Sequence, residues 1–318
     1  MDKPPFPAYL DNSAISDYKR CPTLWQYGSL HKLTRAGKSV HLHAGACFAT
    51  GLEATRRGFH EFGLSEEQAL ILGMHAVVVS YGDFEPEDRH AVKSCERIVF
   101  GLLEYFIQYG LGEDQLHPFQ FSPDSFGIEF NFALPLPIEN PSTGEPLLYT
   151  GRFDQLATYN GTLYGEDDKT AMQLGPSWAK QWELDAQFTG YSWAAREYGY
   201  SLAGFFVRGL SFLPSGYGHA QTIVYRAYWQ IERWLDSTLE VIQRMIEDYS
   251  RDSYISVLDK SVCASYSGCK FHALCASQFP SRWLAQYEHN PWNPMERDSL
   301  NHQALIATLF PKASHVHH

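Results

Sequence analysis

The twenty residues from Gly151 to Thr170 constrain the fold more than any other stretch of the chain. Gly-Arg-Phe-Asp leads into an alternating run, Asn160-Gly161 sits at the middle, and the stretch closes on Gly-Glu-Asp-Asp-Lys-Thr. Asn-Gly between β-rich runs is a strong hairpin signal, because both residues of a two-residue turn must adopt positive φ. With those two as the turn, Tyr159 faces Thr162, Asp154 lies across from Asp167, and Arg152 lies across from Lys169. Side chains alternate with period two, so Asp154, Asp167 and Lys169 share one face. Opposed like charges on a sheet repel. Acids that merely faced solvent would give the same composition. The coincidence of turn, register, face and lysine points instead to a bound divalent cation.

Hard ions such as Mg²⁺ take carboxylate, carbonyl and water oxygens and bridge to substrate phosphates. Asp154, twelve intervening residues, then Asp167-Asp168-Lys169 resembles the bipartite motif of the PD-(D/E)xK nuclease superfamily. The Gly-Arg-x-Asp start, the Lys-Thr end and Gln187-Phe-Thr-Gly-Tyr191 are similar to its RecB-like branch, which includes CRISPR-associated RecB-like exonucleases and many phage exonucleases. The resemblance implies that Asp154 and Asp167 ligate Mg²⁺ or Mn²⁺, that the Asp168 carbonyl adds a ligand, and that Lys169 assists the attacking water. Gln187 and Tyr191, four apart on one helix face, would lie by the active site. Phe153 stands where the family has a proline. The main departure is in the family's Gly-x-x-x-His element: Gly45 matches, but Ala49 replaces the histidine, and His43 is offset from that place. Glu53, one turn on, is a substitute ligand or a buried structural acid. Glu129 is either a further site acid or a solvent-face residue.

The 318 residues, 44% hydrophobic and 19% charged, describe a globular protein of one large or two small domains. No apolar run is long enough to span a membrane, and the N-terminus lacks a signal pattern, so a cytoplasmic location is expected, in a bacterium or a phage-infected host. A net charge of −11 argues against a broad nucleic-acid-coating surface but leaves room for a local basic track.

Six cysteines in such a chain are not a disulfide framework. Cys47 and Cys95 fall in apolar helical patterns and read as packing residues. Cys21 near the start, with Cys263, Cys269 and Cys275 in a short polar stretch, suits structural Zn²⁺ or an iron–sulfur cluster. One cysteine before the nuclease core and three after it resembles the iron–sulfur members of the RecB-like branch. There a four-iron–four-sulfur (4Fe–4S) cluster staples the two ends, closing here a loop of about 240 residues. His272 is expected to be exposed.

Local patterns predict a short helix capped by Asn12-Ser13 that delivers Cys21, and helices over Val40–His60, from a Ser65 capping box to Tyr81, and over Asp88–Tyr109. Strands are expected over Phe126–Leu136, Leu147–Tyr159, Thr162–Thr170, Leu202–Leu213 and His219–Trp229. Further helices are expected from Trp178, capped by Ser177, to Tyr198, and over Gln230–Ser250. A docking helix and a frayed end would close the chain after Trp283, Pro291, Trp292 and Pro294. This is an α/β protein with a central mixed sheet flanked by helices, a restriction-endonuclease-like core. It divides into an N-terminal helical region (1–125), the core (126–250) and a cysteine-cluster region with tail (251–318), packed as one unit.

The resemblance, covering Asn12 to Cys275, implies a metal-dependent DNA exonuclease with a structural 4Fe–4S cluster. It would act on single strands or duplex ends in recombination, repair or CRISPR-type processing, with a recombination or helicase partner. Three alternatives stand beside it: a catalytically weak DNA-end-binding or recombination-partner protein on the same fold, a zinc-stapled relative, and a phosphoesterase acting on RNA.

Overall fold

The computed structural model describes residues 3–37, 39–264, 268–291, 293–294 and 300–311. Trp292 and the terminal Lys-Ala-Ser-His-Val-His-His lie outside them. The principal sheet has seven strands among the described residues and is mixed, with helices on both faces. Six of its strands position the site: β1 (Tyr9–Asp11), β2 (Ile128–Glu139), β3 (Pro146–Tyr159), β4 (Thr162–Ala171), β5 (Phe205–Leu213) and β6 (Gly216–Val224). The helices that matter here are α1 (Asn12–Arg20), α2 (Val40–His60), α3 (Glu66–Tyr81), α4 (Cys95–Tyr109), α5 (Ala186–Glu197) and α6 (Tyr228–Arg251).

The hairpin of β3 and β4 forms in the expected register, Tyr159 opposite Thr162 through Gln155 opposite Glu166. Asn160 and Gly161 take φ of 49° and 76°, as a turn matching the twist of the two strands requires. Beyond Gln155 the two strands part. β4 runs on in parallel beside β5, with Asp167 at Val207 and Asp168 at Arg208. β2 holds the far edge of β3 from Leu148 to Gln155, while β1 pairs in parallel with Leu148–Thr150 on the edge that β4 occupies further along. Residues 151–154 therefore face a gap between β1 and β4. The sequence places Asp154 directly across a continuous ladder from Asp167, and Arg152 across from Lys169; the ladder has already ended at Gln155–Glu166, beyond which β4 keeps only β5, on its other edge.

Each sheet face has its own core. On one, Phe188 and Trp193 of α5 and Ile242 and Met245 of α6 pack on Leu10, Tyr149, Phe153, Phe205 and Val207. On the other, α2, α3 and α4 pack through Phe48, Leu72, Ile98 and Leu102 on Leu210 and Phe212. The alternation along β5, odd residues to one core and even residues to the other, lets a strand buried on both sides read as an apolar run.

Helix boundaries show where local signals mislead. Asp11, one residue earlier than expected, caps α1 by accepting from Ala14 N, and Cys21 follows the helix directly. The Ser65–Gln68 capping box of α3 forms as read. The span from Asp88 breaks at Ser94, whose side chain caps α4, leaving a separate 3₁₀ turn over Asp88–Lys93. The helix expected from Trp178 to Tyr198 is two: a short one (Pro176–Lys180), then α5, capped by Asp185 rather than Ser177. β6 ends at Val224 and α6 begins at Tyr228, earlier than its polar start suggests. A terminal helix (His302–Leu309) does dock, setting Leu305, Ile306 and Leu309 against the helical core.

Candidate active site

The parted end of the hairpin is filled by side chains in place of ladder bonds. Asp168 N donates to Asp154 Oδ2 at 2.8 Å, so an acid side chain supplies the acceptor that a partner strand would have offered. Arg152 N, in the gap, donates to Tyr191 Oη at 3.2 Å. The Tyr191 ring packs edge-on to Phe132 and tilted against Phe153, and passes so close to Gly151 that a Cβ there would stand 2.6 Å from it. The glycine of Gly-Arg-x-Asp is therefore a steric requirement of the tyrosine above it.

Asp167 and Lys169 point to this face. Lys169 Nζ lies 2.7 Å from Asp167 Oδ2, and Gln187 Nε2 donates to Asp167 Oδ1 at 2.9 Å. Gln187 stands in the first turn of α5, and the cap at Asp185, accepting from Gln187 N, fixes that turn. Burial, followed by the Asp154 charge, raises the Asp167 carboxyl to about 7 even against Lys169. Burial likewise raises Asp154, with Lys169 opposing it. Burial would lower Lys169, but the two carboxylates outweigh it and hold the ammonium firmly protonated. One ammonium thus faces two acids withdrawn from water, and the face lacks positive charge.

Two cavities open on this point, and Asp154 and Lys169 line both. One, of about 520 Å³, is polar and includes Asn131, Arg152, Gln187 and Tyr191. The other, also about 520 Å³, lies between α2 and β4 and includes Gly45, Ala49 and Glu129. Gly45 sits over Thr170, and Ala49, at the histidine position of the resembled family, faces the acids with only a methyl group.

The opposite face of β4 is also charged, and sequence reasoning missed it. Arg56 of α2 reaches Glu166 and Asp168, each at 2.8 Å. Arg208 of β5 reaches Glu166 at 3.0 Å and Asp114 at 2.6 Å. Tyr105 Oη donates to Asp168 Oδ1, and Gln155 Nε2 to Glu166 Oε2. Burial raises Glu166 to about 7 although Arg56 and Arg208 pull it down, whereas both guanidiniums are themselves held further up by their acidic partners. The contacts of 2.8 and 3.0 Å join each acid to a guanidinium. An arginine in the middle of an otherwise apolar helix face was the available signal.

The remaining expected residues separate. Glu129, at φ 53°, holds Arg152 at 2.6 Å and lies at the rim of the second cavity. Glu53 is buried against Arg57 at 2.9 Å, away from the parted strands. His43 meets the Tyr81 carbonyl and the rings of Tyr81 and Phe84. Cys47 and Cys95 pack in the helical core. Cys21 lies beside Leu24, Phe271, Leu274 and Cys269 in a small core of its own. Cys269 N donates to the Cys263 carbonyl, and burial, followed by the nearby Cys269, Cys21 and Cys263, pushes the Cys275 thiol up to about 11. All six cysteines are free thiols, and His272 is exposed. Among the described residues no group of three or more His, Cys, Asp or Glu side chains is arranged to hold a metal ion. For Mg²⁺ that is no obstacle, since it binds through one or two carboxylates with waters and substrate phosphate. Among the described residues no helix is long and apolar enough to cross a membrane.

Comparisons with known proteins bear on this geometry. A candidate exonuclease from Eubacterium rectale is similar in structure, with 14% identity, 81% of this chain and 88% of that chain covered, and a TM-score of 0.45. The crystal structure of SSO0001 matches with 12% identity, 85% and 86% coverage and a TM-score of 0.36. No curated protein matches the chain. The sequence profile of the PD-(D/E)XK nuclease superfamily matches residues 12–276, and the chain belongs to that superfamily.

Proposed function

We propose that the protein is a Mg²⁺- or Mn²⁺-dependent DNA exonuclease. The observation that carries this reading is the parted hairpin, where two acids and one lysine meet on a single face with too little positive charge to balance them. An all-oxygen donor set with one neighbouring ammonium suits a hard divalent ion. Asp154 and Asp167 would hold it, with the Asp168 carbonyl as a further ligand. Bound there, the ion would act as a Lewis acid on the scissile phosphate and lower the pKa of a coordinated water. Lys169 orients that water and offsets developing charge. Gln187 fixes the Asp167 carboxylate, and Tyr191 fixes the backbone at Arg152. Glu129 and Glu53 sit with arginines and would act, if at all, through those partners.

The same reading assigns Cys21, Cys263, Cys269 and Cys275 to a structural 4Fe–4S cluster tying the two ends of the chain. Its support is that Cys21, Cys263 and Cys269 all act on the Cys275 thiol, although among the described residues no three such side chains are already arranged around a metal position. A four-thiolate set also suits zinc, and iron and acid-labile sulfide assayed against zinc in anaerobically purified protein decide between them. Recombination, repair or CRISPR-type processing, in the cytoplasm, is the setting that fits such an enzyme. Ala49, a methyl at the cavity wall beside Asp154, favours one second reading, a weakly catalytic protein that holds DNA ends.

End-labelled single- and double-stranded DNA incubated with Mg²⁺ or Mn²⁺ separates the two. Cleavage from an end, abolished in folded Asp154→Ala and Lys169→Ala proteins, is the expected result. Binding without cleavage selects the end-holding reading, and undiminished cleavage by either variant refutes the site.

A further inference from the structure

The cavity between α2 and β4 holds a cation that the proposed chemistry does not use. Lys93 closes the 3₁₀ turn Asp88–Lys93, its residue is 4% exposed, and its side chain lines the cavity with Ala49, Asp154 and Lys169. The ammonium lies 4.1 Å from the centre of the Phe212 ring. Among the described residues no carboxylate pairs with it, and burial alone pushes it down to about 8. Of the other charges on the lining, Arg56 is matched with Asp168, Lys169 with Asp167 and Glu129 with Arg152, and Asp154 is the acid assigned to the cation. A buried ammonium without an anion is unfavourable, and a lysine in that position is a ready point charge for phosphate.

We propose that this cavity is a pocket for the terminal nucleotide of the DNA chain, with Lys93 binding that nucleotide's phosphate. About 520 Å³ lies within the roughly 300–1,000 Å³ of small-molecule sites, enough for one nucleotide and too little for a continuing chain. Phe48, Ala49 and Leu52 give the wall an apolar surface against which a base can lie. A histidine at position 49 would project into that space; alanine leaves it open. Asp154 and Lys169 are part of the lining, so a nucleotide seated in the pocket brings its linkage to the rest of the strand near the parted hairpin.

The inference rests on the nuclease reading, and its test is made independent of cleavage. Thymidine monophosphate and thymidine are titrated calorimetrically into metal-free protein. Wild type is expected to bind the monophosphate at least about tenfold more tightly than the nucleoside, the worth of one charge-assisted contact. Lys93→Met, which keeps the stem and should leave the fold intact by circular dichroism, brings the two affinities together; Lys93→Arg retains the preference. A wild type without preference, binding of neither compound, or an undiminished preference in Lys93→Met overturns the pocket. Should the Met variant not fold, Lys93→Gln is read against the same outcomes. A protein that shows the preference but never cleaves DNA fails as a nuclease and keeps the pocket, whereas an active nuclease without the preference loses the pocket alone.

Discussion

The two faces of β4 carry similar numbers of charges and treat them in opposite ways. Toward α2 and α4, Glu166 and Asp168 meet two arginines, a tyrosine hydroxyl and a glutamine amide, all within 2.6–3.2 Å. Toward α5, Asp154 and Asp167 share one lysine, with one backbone amide donating to Asp154 and one side-chain amide to Asp167. The first face is complete without any ligand, and the second is not. Buried charge by itself therefore does not mark a site; the deficit of counter-charge does.

The contrast can be broken at its stronger side first. Arg56→Met leaves two acids short of a partner and should destabilise the protein by about 3–5 kcal/mol in urea unfolding, while Asp167→Asn costs less than about 1 kcal/mol. Reversal of that order would show the faces to be alike. On the other side, Asp154→Asn keeps an oxygen for Asp168 N but weakens the cation site, and DNA cleavage should fall by at least about 10²-fold with no loss of melting temperature. Metal supplies a smaller and sharper measure. Mg²⁺ at ten times its Kd should add about 1.4 kcal/mol to wild-type stability and nothing to Asp167→Asn.

A further effect, of pH alone, belongs to the arginine face. Burial, then Arg56 and His117, lower His60 from 6.5 to about 4. Its neutral form is the native one, so the contribution is whole above the unfolded pKa and is lost as pH falls from about 6.5 through about 4. His60→Gln should flatten the acid limb of the stability curve between those values, measured by denaturant midpoint.

Residue spacing explains which parts were readable in the sequence. The turn at Asn160-Gly161 and the alternation around it are local, and the register from Tyr159 to Gln155 follows from them. The parting beyond Gln155 is not local, since the edge of β3 that β4 leaves is taken further along by β1, from the start of the chain. The Ser65–Gln68 box was visible because both members lie within one turn, while the break before Asp185 competes with an unbroken aromatic pattern from Trp178 to Trp193. Gln187 and Tyr191 were placed by resemblance, and the geometry supplies their partners, Asp167 and the Arg152 amide. The arginine network and Lys93 had no spacing to betray them. Arg56 and Glu166 stand 110 positions apart, Arg208 and Asp114 stand 94 apart, and nothing in either segment alone requires the other.

The links across the parted strands are short by comparison: 14 positions from Asp154 to Asp168, 20 from Asp167 to Gln187 and 39 from Arg152 to Tyr191. Closing short loops is entropically easier than closing long ones. The parted end of the hairpin is thus tied together within one continuous stretch of polypeptide, while the arginine clamp behind it waits for distant helices to arrive.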